Sequence, residues 1–170
     1  MAINPERFRE VFGSFPTSVS VVTALDGQGQ PRGFTCNAVC AVSAEPPLLL
    51  VCVDRGAQTL PAIVASGAFV VNVLAASGDH GERTSRLFAG KEADKFAAVD
   101  WRPSAVAGGA PILADVALAY AECRVVDAVE AGDHWIFIAR VEGAEVSARE
   151  PLLYFKRQYS SWAPDLAPVH

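Results

Sequence analysis

The chain of 170 residues lacks any run of the roughly 18 to 20 uncharged apolar residues that a membrane-spanning helix needs, since Glu45, Asp54 and Arg55 bound its longest candidate. Its opening stretch, MAINPERFREVF, carries charges where a signal peptide has its apolar segment. Both absences lead to the expectation of a cytoplasmic protein with no membrane partner. Positive charge is scarce as well: 14 Lys and Arg stand against 19 Asp and Glu, a formal net charge of −5, with a pI near 5.1. No cluster of Lys and Arg escapes that average, which argues against a nucleic-acid partner held by its phosphates. An anionic ligand would need a locally built site.

Cysteine is sparse and unpatterned. Cys36, Cys40, Cys52 and Cys123 lie in apolar, strand-like text without a CxxC pair, so neither a zinc site nor a disulfide framework is expected and buried free thiols are. His80, His134 and His170 are too far apart to suggest a metal site. No GxGxxG follows a strand; GQGQPRG has the wrong spacing and falls in a turn. GxxxxGK[ST], HExxH and GxSxG are missing too, which removes most hydrolytic and phosphoryl-transfer chemistry.

What the chain has in abundance is apolar, β-branched sequence. Hydrophobic residues make up 51% and charged residues only 19%, with a mean hydropathy of +0.25; that excess suggests a buried oligomer interface. The length suits one domain over 1–170, since a domain near this size buries about 70% of its unfolded surface. Asn4-Pro5 reads as the start of a short amphipathic helix carrying Phe8, Val11 and Phe12. SVSVVTAL and a segment from Phe34 to Ser43 read as a hairpin around DGQGQPRG. LLLVCVD reads as a strand, AQTLPAIVASG as a helix interrupted near its start by Pro61, and FVVNVLA as a strand. Residues 78–95 read as helix then loop, anchored by Leu87 and Phe88. VALAYAECRVVDAV and HWIFIARVEGAEV form a long hairpin separated by EAGD, and LLYFKRQYSSW ends the chain with a strand and an aromatic tail. With at least six strands and two or three short helices, an antiparallel barrel is the expected solution, because closure removes exposed edges.

One stretch, GFTCNAVCAVSAEPPLLLVCVDRGAQT from Gly33 to Thr59, combines small polar residues, a double proline, a buried strand and a polar loop. It resembles the flavin reductase-like family, whose members read close to G-x-T-x-[NS]-A-x-x-S-x-S-x-x-PP followed by a strand and a polar loop. The resemblance continues in order through FVVNVL, LFAGKEADKF, GGAPIL, AxxEC, GDHWIFIARV and PLLYFKRQY, and spans Phe8 to Trp162. It implies a mainly β, six-stranded antiparallel split β-barrel of Greek-key type, a homodimer holding FMN or FAD, with NADH or NADPH as reductant. It also implies that the reduced flavin goes to a partner flavin-dependent monooxygenase. A flavin-binding electron-transfer or storage protein on the same barrel is the alternative.

The resemblance also assigns residues. Thr35, Cys36, Asn37 and Ala38, with Ser43, are expected along the isoalloxazine edge, which needs hydrogen-bond partners for its pyrimidine atoms. Asp54, Arg55, Gly56, Ala57, Gln58 and Thr59 form a strand end, tight loop and helix start suited to a phosphate. Arg55 stands where family members often have Ser. Phe88, Ala89, Gly90 and Lys91 resemble the loop covering the ribityl-phosphate or adenine arm, with Ser85 and Lys95 as further polar candidates. His134, in Gly132-Asp133-His134, is expected to orient the nicotinamide, and Tyr159 to border its pocket.

Overall fold

The structure, a computed structural model, describes residues 2–92 and 94–163. Of the expected single domain, Met1, Ala93 and 164–170, with His170, lie outside the described residues. Asn4 caps α1 (Pro5–Phe12) by accepting from the Arg7 amide at 2.8 Å, with Pro5 opening the helix. No residue of α1 is buried. Its aromatic rings meet one another and Phe15 just beyond the helix instead, Phe8 tilted against Phe12 at 4.4 Å and Phe12 stacked on Phe15 at 5.6 Å between centroids.

After β1 (Thr17–Ser18) and β2 (Ser20–Leu25), the single strand expected from Phe34 to Ser43 proves to be two, β3 (Pro31–Cys36) and β4 (Val39–Ala44). The reason is topological. β3 pairs with β2, whereas β4 pairs with β5 (Pro47–Asp54), so Asn37 and Ala38 carry the chain from one edge of the sheet to the other. α2 (Leu60–Ser66) takes Pro61 into its first turn, where the missing N–H is not needed, so the helix is not interrupted. β6 (Ala68–Leu74), α3 (His80–Ala89), a short 3₁₀ turn at Phe96–Ala98, β7 (Arg102–Pro103) and β8 (Pro111–Ile112) follow. The long hairpin is β9 (Ala117–Ala131) and β10 (His134–Val146); Ala131 pairs with His134, leaving Gly132 and Asp133 as the whole turn. Gly132 takes the positive φ, 63°, that such a turn requires. The last segment is a hairpin rather than one strand: β11 (Leu152–Phe155) and β12 (Gln158–Ser161).

Seven strands form one antiparallel sheet in the order β3-β2-β6-β9-β10-β5-β4. Among the described residues the fold is thus mainly β with three α-helices, and this sheet has seven strands with β3 and β4 as its hydrogen-bonding edges. β1, β11 and β12 make a small second sheet. Val22, Val51, Phe69, Cys123 and Phe137 share one core with Ile63 of α2. Of the four cysteines, Cys36 and Cys123 are buried as expected, Cys52 is half-buried, and Cys40 is exposed on β4, no residue of which is buried.

A buried amide fastens the loop before β9 to the sheet. The side chain of Asn72, on β6, donates to the Val21 carbonyl at 3.1 Å and accepts from the Leu113 amide at 2.8 Å. Truncating it leaves the Leu113 amide without its acceptor inside the core and removes the added side-chain bond to the Val21 carbonyl. Asn72→Ala should cost about 2 to 4 kcal/mol in urea unfolding; a loss under about 1 kcal/mol would show that water replaces the lost bonds.

Candidate functional site

The edge strand β3 faces α3, and the gap between them is where the site forms. Lys95, 9% exposed, sends its ammonium into this gap, donating to the Phe88 carbonyl at 2.9 Å and to the Gly33 carbonyl at 3.5 Å. Gly33 has to be glycine: a Cβ there would lie 2.8 Å from Cε1 of buried Phe88. Because the Gly33 carbonyl points away from β2, antiparallel alternation turns the N–H and C=O of Thr35 to the same open side. The Thr35 hydroxyl donates to the Ser85 carbonyl at 2.6 Å, tying strand to helix again.

Residues 33–35, 54, 56–59, 88–91 and 95 line one groove of about 440 Å³. Three segments far apart in the sequence therefore meet where the sequence expected them to act together. In the loop after β5, the Asp54 carboxylate accepts from the Gly56 amide at 2.6 Å and the Asp54 carbonyl from the Ala57 amide at 3.0 Å. The Gln58 and Thr59 amides have no acceptor among the described residues, and Thr59 gives α2 no side-chain cap. Two amides are thus left as donors at the groove.

Other expected site residues sit outside the groove lining. Asn37 and Ala38 are exposed on the crossing between the sheet edges; the Asn37 amide donates to the Thr17 hydroxyl at 3.4 Å and the Ala38 carbonyl accepts from the Cys52 amide at 3.0 Å. Ser43 is on β4, paired with Leu48. Cys36 is buried, and burial pushes its thiol up to about 11, so it is neutral and unreactive at physiological pH. The Arg55 guanidinium pairs with Glu130 at 2.6 Å on the surface instead of lining the groove. Ser85 is buried under α3 and meets the Tyr159 hydroxyl at 2.9 Å. His134 opens β10 directly opposite Asp54 and holds its Nδ1 2.7 Å from the Asp133 carboxylate, which that contact keeps below the usual carboxylate range. The same turn accepts the Arg55 amide at the Asp133 carbonyl, 3.0 Å, so His134 stands beside the loop that forms one wall. Gly33 and Phe34 line the groove without having been singled out; the glycine opening GFT was the signal, legible only once its neighbour Phe88 is known.

The profile of the flavin reductase like domain matches residues 12–163. The chain belongs to the flavin reductase-like family. It is 42% identical over 168 residues to a flavin reductase (NADH) of Kitasatospora aureofaciens, covering 98% of this chain and 86% of that one. It is 40% identical over 165 residues to HsaB, the reductase subunit of a flavin-dependent monooxygenase of Rhodococcus jostii, covering 96% and 81%. Among solved structures it superposes with a TM-score of 0.86 at 37% identity on the NADH:FAD oxidoreductase SgcE6 of Streptomyces globisporus, captured with NAD and FAD fragments, over 98% of this chain and 99% of that one.

The residues present fit the flavin this family implies. The groove has the volume of a small-molecule site, for which about 300 to 1,000 Å³ is usual. Its outward strand edge at Thr35 offers one donor and one acceptor side by side, matching the alternating pyrimidine edge of an isoalloxazine. The free Gln58 and Thr59 amides and exposed Lys91 suit a phosphate.

Burial holds the Lys95 ammonium below the usual lysine range. A lysine whose folded value is depressed binds fewer protons folded than unfolded at alkaline pH, so its contribution to stability rises with pH through that window. The unfolding free energy of the wild type minus that of Lys95→Met should therefore grow between pH 8 and pH 10. A flat or falling difference would show that the buried ammonium carries no desolvation penalty.

Proposed function

We propose that this chain is an NAD(P)H-dependent flavin reductase that reduces FMN or FAD and supplies the reduced flavin to a partner flavin-dependent monooxygenase. The observation that carries this reading is the convergence of the strand edge at Thr35, the loop 54–59 and the segment 88–91 on one groove, in a chain collinear with flavin reductases over nearly its whole length. The relatives include reductases named for NADH and for NADPH, and one named an FMN reductase.

A flavin held in this groove would supply the redox chemistry as a two-electron acceptor, and the protein contributes position, exclusion and electrostatics. The backbone of Thr35, with Cys36, Asn37 and Ala38 beyond it, offers hydrogen bonds to the pyrimidine side of the ring, and Ser43 lies further along the same stretch. Asp54 rigidifies its loop by accepting from the Gly56 amide, and the Gln58 and Thr59 amides would be the donors that hold a phosphate there. Phe88, Ala89, Gly90 and Lys91 close over the flavin's tail, and Lys95 holds that wall at a fixed distance from β3. His134 would orient the nicotinamide from the rim; its Nδ1 is engaged by Asp133, which leaves Nε2 as the ring nitrogen for that contact. No side-chain acid or base is required, and the absence of a dinucleotide-binding fingerprint fits a nicotinamide that binds briefly in an open groove.

The same reading includes closure of the sheet into the family's split barrel. Supporting it, β3 and β5 approach one another across the opening: the Cys36 thiol lies 3.7 Å from the Cys52 carbonyl, and six strands feed one core. A homodimer is supported by the exposed large apolar side chains Phe8, Phe12, Val42, Val126 and Val129, which a partner subunit would cover. No helix among the described residues is long and apolar enough to cross a membrane; we place the enzyme in the cytoplasm, where reduced nicotinamide is made and free thiols persist.

Steady-state oxidation of NADH and NADPH with FMN, FAD and riboflavin in parallel tests the activity and its preferences together. Rapid mixing with the nicotinamide should bleach the visible band of the oxidised flavin; a flavin carrier without nicotinamide turnover would leave the band in place. His134→Ala should raise the nicotinamide KM by roughly five- to twentyfold, with flavin affinity within about twofold of wild type. Equal KM values in the two proteins would remove that role from His134.

A further inference from the structure

Tyr159 is half-buried on β12, outside the lining of the groove. Its hydroxyl meets the hydroxyl of Ser85, a residue with no exposed surface on α3, at 2.9 Å. The Arg86 guanidinium lies over the Tyr159 ring, 5.0 Å from its centroid, and is held there by Glu82 at 2.7 Å. The C-terminal hairpin therefore holds α3 at Ser85 and Arg86. The Ser85 carbonyl in turn accepts the Thr35 hydroxyl at 2.6 Å. One residue of α3 thus receives both bonds, one from the hairpin and one from a groove-lining strand, and one turn further on the same helix becomes the groove wall at Phe88 and Ala89.

We propose that Tyr159 is a positioning residue for the flavin groove: through Ser85 it fixes the placement of α3 against β3, and it acts on flavin affinity and not on the nicotinamide. This inference rests on the flavin-reductase reading and replaces the nicotinamide-bordering role that the resemblance gave Tyr159. The physical case lies in how little slack the gap has. At Gly33 and Phe88 the strand and helix already touch, so α3 cannot move inward. It can tilt outward, and the Thr35–Ser85–Tyr159 chain opposes that motion. Loss of the Tyr159 hydroxyl leaves the buried Ser85 hydroxyl without its partner, so the helix gains by shifting toward water. A shift of a fraction of an ångström at Ser85 displaces the Phe88–Ala89 wall and the Thr35 backbone together, the two surfaces between which the ring would lie.

The test uses the full chain in its native assembly and the variants Tyr159→Phe, Ser85→Ala and the two combined. Flavin Kd is read from fluorescence quenching of added FMN and FAD, nicotinamide KM from steady-state turnover at saturating flavin, and folding from Tm. Each single variant should weaken flavin binding by roughly three- to tenfold, the effect of one hydrogen bond, and the double variant no more than either single. The nicotinamide KM should stay within twofold. A raised nicotinamide KM with unchanged flavin Kd would overturn the proposal in favour of a nicotinamide contact. A lowered Tm with unchanged flavin Kd, or effects that multiply in the double variant, would overturn it as well. A wild type that quenches neither flavin would overturn the flavin-reductase reading itself, a failure distinct from any of these.

Discussion

A strand at the edge of a sheet leaves half of its backbone N–H and C=O groups without partners, and a folded protein has to cover them, pair them or put them to use. β3 does all three along six residues. Its inner side pairs with β2, and its outer side is met by Lys95 at Gly33 and by α3 at Thr35. Since a helix cannot hydrogen-bond to a strand edge residue by residue, α3 stands off β3 by the width of side chains, and that stand-off is the groove. The contact between Gly33 and Phe88 sets its floor, and Lys95 and Ser85 span it as struts. Everything else at the site is brought to this gap.

The loop 54–59 arrives by sheet topology. β5 lies five places from β3 in the sheet order, next to the far edge strand β4, yet its C-terminal end carries Asp54 into the groove beside Gly33. The pairing of β5 with β10 then places His134 across from Asp54 with no further requirement. Because the β9–β10 turn has only two residues, His134 stands at the first paired position and its placement is as fixed as the sheet. A rim residue built on a strand end in this way needs no loop to order it, which suits a group that meets a transient ligand.

Alternating and β-branched text was enough to locate nearly every long strand, since side-chain period reports on which face is buried. What it hid was pairing. The two halves of the stretch from Phe34 to Ser43 look alike in sequence, and only the partners β2 and β5 force a break between them. LLYFKRQYSSW hid a turn in the same manner, because Lys156 and Arg157 take positive φ without a glycine to announce it. At the site, the loop 56–59 and the segment 88–91 were legible as motifs. Arg55 was legible too, but its partner was not: Glu130 lies 75 residues away and reaches it only across the β9–β10 hairpin. Tyr159 shows the opposite limit, since a residue that acts through Ser85 leaves no local pattern to read.

The electrostatics of the groove bear on what the protein does with its product. A chain of net charge −5 repels a flavin phosphate at long range, over the roughly 8 to 10 Å that ionic screening allows. What the groove offers a phosphate in the proposed reading is short-range: amide N–H groups at Gln58 and Thr59, and Lys91 at the surface, while the Arg55 guanidinium is paired with Glu130 and the Lys95 ammonium is tied to two carbonyls. Contacts of that kind would be selective at short range without a deep electrostatic well, which suits the exchange of flavin that the proposed function needs. A tightly clamped phosphate would serve an enzyme that keeps its flavin through every cycle. Amides on a short loop, backed by one exposed lysine, serve an enzyme whose reduced flavin has to leave and reach a second protein.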